Sequence, residues 1–205
     1  MCGKALPFRE IQLDYERGCA SLAGRMPALH MDQRIVIVGF MGSGKTTVAK
    51  ALAARLGCGV ADLDAIVSAQ QNKSVPELIK EQGESSFRDA ETAALQVALD
   101  RQAPRIIALG GGAWTLERNR ELINNHGCLT VWLDASYDLC WQRITDHPVP
   151  RPLALDENAA RELYRQRHPL YALAQLRVVV TDKMSADDVA ARITAAIERR
   201  VTIKH

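Results

Sequence analysis

The stretch that most constrains this chain is Gly39-Phe40-Met41-Gly42-Ser43-Gly44-Lys45-Thr46, preceded by the apolar run Ile35–Val38 and followed by a helical pattern from Val48 to Leu56. The order strand, glycine loop, helix gives the G-x-x-x-x-G-K-[ST] match a physical meaning. Backbone N–H groups of such a loop cradle phosphates, Lys45 reaches the β/γ-phosphates, and the Thr46 hydroxyl is placed for Mg²⁺. The positive end of the helix acts on the same anion. Gly42, Ser43, Gly44, Lys45, Thr46 and Thr47 are therefore the candidate nucleotide contacts. A turn that merely joined strand to helix would not require Lys and Thr after its last glycine.

The rest of the chain continues the pattern. Short apolar runs at 58–61, 105–109, 128–133 and 176–181 alternate with helical stretches, which implies one α/β domain built on a five-stranded parallel sheet with helices on both faces. That is the layout of a P-loop kinase of the nucleoside monophosphate kinase type. Ser74-x-x-Glu77, Ser136 and Ser185-x-x-Asp188 predict helix starts, Gly83 predicts a helix end, Gly127 stops a helix expected over Thr115 to His126, and Pro169 predicts the end of a helix begun near Asn158. Pro148, Pro150 and Pro152 exclude helix around Arg151 and predict a stiff, charged loop. Residues 1–32 show no sustained period and are read as an extension outside the domain 33–205, with Met26 or Met31 as the expected biological start.

Charge and cysteine usage narrow the partners. With 26 basic and 24 acidic residues the net charge is +2, so no global field draws nucleic acid or an anionic membrane, and any anion site is local. Five cysteines without a C-x-x-C pair fit reduced thiols, and no apolar run is long enough to span a bilayer. A monomeric cytoplasmic protein acting on small molecules is expected.

Phosphoryl transfer needs a carboxylate for Mg²⁺, an acceptor site, and cations over the transferring group. Asp62 and Asp64 follow the second strand at the end where ligands bind in such sheets; Asp134, beside the Ser136 cap, is assigned to the capping region. The Gly110-Gly111-Gly112 run would let backbone approach a small substrate. Arg88, Arg151 and Arg167 can each hold a carboxylate or phosphate bidentately.

In order and spacing, GFMGSGKT, Asp62-Leu63-Asp64, Glu84-x-x-Phe87-Arg88, Leu109–Ala113, Arg151-Pro152-Leu153 and Arg167-x-Pro169-Leu170-Tyr171 resemble the shikimate kinase family over nearly everything after residue 33. The resemblance implies ATP- and Mg²⁺-dependent phosphorylation of the 3-hydroxyl of shikimate, on the route to chorismate and the aromatic amino acids. It further implies that Asp64 holds the substrate hydroxyls and orients or deprotonates the attacking one, with Asp62 supporting Mg²⁺ through water. Arg88 and Arg167 would clamp the carboxylate, and Gly110, Gly111 and Gly112 would line the pocket. Arg151 would come down with a lid as a catalytic cation on the nucleotide, and Arg143 would lie against adenine. The chain departs from the family pattern at Trp114, which either packs or trims the pocket, and at Asp182-Lys183-Met184. A kinase of another small hydroxy acid such as gluconate is the alternative, and a non-catalytic metabolite sensor a lesser one, disfavoured because Lys45 and Asp64 are both present.

Overall fold

The computed structural model describes residues 33–101, 104–146 and 156–203, with side chains to Arg200. The extension 1–32 and the proline-flanked segment around Arg151 lie outside the described residues. Five parallel strands, β1 (Ile35–Val38), β2 (Val60–Asp62), β3 (Ile106–Ala108), β4 (Leu129–Ala135) and β5 (Leu176–Val180), form one sheet in the order β2-β3-β1-β4-β5. Every residue of β1, β3 and β4 is buried. Successive strand residues point to opposite faces, so burial of all of them means that both faces of the sheet are covered.

The covering helices are α1 (Lys45–Leu56), α2 (Leu63–Gln71), α3 (Val75–Asp100), α4 (Glu117–Asn125), α5 (Tyr137–Thr145), α6 (Glu157–Tyr171) and α7 (Ala186–Ile203). Helix α1 packs on α7, and α2 on α3. The predicted starts are found as caps. Ser74 and Glu77 form a capping box, the Ser136 hydroxyl accepts from the Leu139 N–H, and Ser185 and Asp188 exchange hydrogen bonds. Gly83, at φ 82° and ψ 164°, breaks α3 into the two helical pieces its sequence suggests.

Three expectations need correction. Pro169 does not end α6, which continues to Tyr171. A proline removes one donor and clashes with the carbonyl four residues back, and with a single turn remaining, the burial of Tyr171 outweighs that local loss. The helix expected from Thr115 is split: Ala113–Thr115 is a 3₁₀ turn, and Leu116, with extended backbone, separates it from α4. Asp134 is no cap. It lies inside β4 with its carboxylate on the Arg177 guanidinium at 2.5 and 2.8 Å and on His168 at 3.6 Å, and Arg177 in turn stands over the Trp132 ring.

The glycine loop is moulded by its neighbours. Gly42 has φ 77°, and a Cβ there would stand 2.5 Å from the carbonyl oxygen of Cys140 in α5. Both the dihedral and the backbone neighbour exclude a side chain. Gly42→Ala should destabilise the fold by about 1–3 kcal/mol. The melting temperature in a thermal scan should then fall by at least about 2 °C. An unchanged melting temperature would show that the loop can relax away from α5.

Candidate active site

Strand β1 is central, and its carboxyl end opens into the loop that starts α1 at Lys45 with no acidic residue in the first turn. The first amides of a helix have no partners within it, so this end offers Thr46 and Thr47 backbone donors and a positive dipole to an anion. The Lys45 ammonium, 9% exposed, donates to the Phe40 carbonyl at 2.8 Å, folded back over its own loop. The Ser43 hydroxyl is buried and unpartnered among the described residues.

Asp62, the last residue of β2, caps α2 and receives the Thr46 hydroxyl at 2.5 Å. A hydroxyl and a carboxylate converging beside the helix start form an all-oxygen donor pair suited to a hard divalent cation. On the other side of the loop, Arg143 donates to the Gly42 carbonyl at 3.4 Å. It borders a cleft of about 270 Å³ that Ser43, Gly44, Thr47, Met184 and Ser185 also line. Met184, of the 182–184 segment, therefore faces the glycine loop across this cleft.

The residues expected to hold the acceptor converge around the glycines after β3. Gly110 follows β3, and a Cβ on it would come within 2.4 Å of Glu91 and 2.5 Å of Asp64; a Cβ on Gly112 would come within 2.4 Å of the Arg88 guanidinium. At both glycines the ends of charged side chains from α2 and α3 occupy the room a Cβ would need, so a larger residue would have to displace them. Arg88, 9% exposed, binds Glu91 at 2.7 Å and Glu84 at 2.8 Å. Burial works against its charge, but the two carboxylates outweigh that and hold its pKa above the ordinary guanidinium value. Arg167, on α6 and 8% exposed, has an Nη1 with no hydrogen-bond partner among the described residues, and burial lowers its pKa with the nearby Arg88 charge adding to the effect.

Sequence reasoning missed Glu91, a fully buried carboxylate whose Oε1 is likewise unpartnered among the described residues. Its signal was the i, i+3 spacing from Arg88 on one helix. Trp114 is a packed aromatic: it is buried, and its indole N–H donates to the Leu170 carbonyl at 2.8 Å. Arg151, expected over the nucleotide, lies outside the described residues; the two arginines expected at the acceptor, Arg88 and Arg167, are brought near each other.

The sequence model of the shikimate kinase family matches residues 41–198. This chain belongs to the shikimate kinase family. It is 39% identical over 183 residues to a shikimate kinase from Ruegeria pomeroyi, covering 88% of this chain and 91% of that one, and 34% identical to one from Cereibacter sphaeroides over 86% and 88%. Among solved structures it is similar to the Acinetobacter baumannii shikimate kinase in complex with shikimate, with a TM-score of 0.76 and 34% identity over 82% of this chain and 94% of that one. A gluconokinase from Sinorhizobium meliloti, at 15% identity and a TM-score of 0.53, shares the fold alone. The gluconate alternative thus has no support beyond the common fold.

Burial pushes the Glu91 carboxyl above the ordinary glutamate range; Arg88 pulls it back in part, and the adjacent Asp64 charge adds to the rise. Glu91 therefore holds its proton more tightly folded than unfolded. Its contribution to stability is full below the unfolded pKa and is lost as pH rises through the folded one. Measured by urea unfolding, the stability of the parent relative to Glu91→Gln should fall as pH rises above about 4.3. A difference that stays flat across that range would mean that Glu91 ionises as it does in the unfolded chain.

Proposed function

We propose that this chain transfers the γ-phosphoryl group of ATP to the 3-hydroxyl of shikimate, giving shikimate 3-phosphate and ADP. The observation that carries this is the buried Arg167 guanidinium near Arg88, its Nη1 without a partner among the described residues, in a family with a member described in complex with shikimate. A guanidinium taken out of water without a full set of partners asks for an anion. Two of them together suit a carboxylate held bidentately.

Each residue then has a task that follows from its position. Arg88 and Arg167 take the acceptor's carboxylate, and the bare backbone of Gly110 to Gly112 lets the ring approach. Asp64, across Gly110, accepts a hydrogen bond from the attacking hydroxyl and takes its proton as the new P–O bond forms. Lys45 leaves the Phe40 carbonyl for the β/γ-phosphates, which the amides of Gly42 to Thr47 also bind. Thr46 and, through water, Asp62 are the residues to hold Mg²⁺. When bound, that ion offsets the charge on the phosphate oxygens. Arg143 and the cleft bordered by Met184 take the adenine.

The test is a coupled ADP-release assay with shikimate and, in parallel, gluconate; turnover with gluconate but not shikimate would overturn the proposal. Arg88→Ala and Arg167→Ala should each raise the KM for shikimate steeply, since each removes a desolvated charge partner at a cost of about 2–5 kcal/mol. The KM for ATP should change little. Asp64→Asn should instead depress kcat more than either affinity. Calorimetry showing normal shikimate binding by both arginine variants would remove these residues from the acceptor site.

A further inference from the structure

Helix α6 and the glycine run meet at a buried hydroxyl. Arg167 and Tyr171 are four residues apart on α6 and so lie on one of its faces. Tyr171 is 1% exposed, its ring stacks on Trp132 at 6.4 Å, and its hydroxyl donates to the Gly111 carbonyl at 2.5 Å. With the proton committed to Gly111, the oxygen's lone pairs remain for the Arg167 guanidinium, whose charge acts on the phenol from one helical turn away. Burial holds the phenol well above its ordinary pKa, so the donor does not titrate away.

The Gly111 carbonyl shares a peptide plane with the Gly112 N–H, which points the opposite way. Fixing one fixes the other, and Gly112 is the residue whose Cα lies against the Arg88 guanidinium. One hydroxyl thus holds the peptide that flanks the first arginine and lies one helical turn from the second.

We propose that Tyr171 is a positioning residue of the acceptor site, its hydroxyl orienting the Arg167 guanidinium and the Gly111–Gly112 peptide together toward the substrate carboxylate. The inference rests on the assignment of Arg167 to that carboxylate. Tyr171→Phe keeps the ring and its packing while leaving the Gly111 carbonyl and a guanidinium N–H without this partner. Trp114→Phe is the comparator, because the indole joins the same turn to the same helix through the Leu170 carbonyl and not through Arg167.

The parent, these two variants, Arg167→Ala and the Tyr171→Phe/Arg167→Ala double variant would be compared by steady-state kinetics with both substrates, by shikimate calorimetry and by urea midpoint. Tyr171→Phe should raise the KM for shikimate about fivefold to tenfold, the weight of one buried hydrogen bond, and leave the KM for ATP within about twofold. Trp114→Phe should lower the urea midpoint but move the shikimate KM less than about twofold, and in the Arg167→Ala background Tyr171→Phe should change kcat/KM less than about twofold. A folded Tyr171→Phe protein with the parent's shikimate affinity would overturn the proposal. Equal KM shifts in the two aromatic variants, or full additivity with Arg167→Ala, would reduce Tyr171 to a packing residue. A parent that phosphorylates no shikimate would overturn the assignment of the acceptor itself, and this is seen before any variant is compared.

Discussion

The site depends on β1 being hydrogen-bonded along both edges. Its residues pair in parallel with β3 on one side and β4 on the other, and none is more than 2% exposed. A strand held on both edges and buried on both faces cannot slip, since a one-residue shift would exchange every side chain between faces. Its carboxyl end therefore delivers the glycine loop to one place in the crevice. There the neighbours shape the loop: the carbonyl oxygens of Leu133 and Cys140 lie where Cβ atoms of Gly39 and Gly42 would stand. The same pairing places the end of β3, with its glycines, next to that loop, and the end of β2, with Asp62, one strand beyond.

Around this frame the chain buries charge that it does not fully neutralise. Among the described residues Arg88 has Glu91 and Glu84 as ion-pair partners, whereas the Nη1 of Arg167 has no hydrogen-bond partner. Desolvating an ion costs several kcal/mol, and a partner pair repays this only with good geometry and full hydrogen bonding. The proposed acceptor site is thus held in a state that an anionic ligand would complete, a stability cost of the kind that functional sites carry. The surrounding fold bears this cost because α3 and α6, which present the two arginines, are anchored elsewhere. Phe87, Leu95 and Leu99 of α3 enter the core, as does Tyr171 at the end of α6.

Much of the architecture was legible because it is governed by local rules. Apolar runs of strand length, capping boxes at Ser74 and Ser185, and glycines at Gly83 and Gly127 express themselves wherever they occur. The errors fall where a distant contact outweighs a local preference. Pro169 reads as a stop, yet burial of Tyr171 carries the helix past it; Asp134 reads as part of a cap, yet Arg177 from the neighbouring strand takes its carboxylate. The hydroxyl of Tyr171 was illegible as a site group for the same reason: its partner Gly111 lies 60 positions away, and no period or motif within α6 points to it. Glu91 was legible only through its i, i+3 spacing from Arg88, and its place beside Asp64 was not.

By itself the sequence determined the phosphate-binding loop, the alternation of strands and helices, and the identity of the charged residues available to an acceptor, because dihedral preference, hydrophobic period and side-chain chemistry are properties of short stretches. Only the tertiary structure decided which of those charges meet. The strand order β2-β3-β1-β4-β5 brings the end of β3 between the Asp64 helix and the glycine loop, and packing of α3 and α6 brings Arg88 and Arg167 to one small space. Whether a buried charge is paired or left for a ligand is a matter of distance in three dimensions, and spacing along the chain does not encode it.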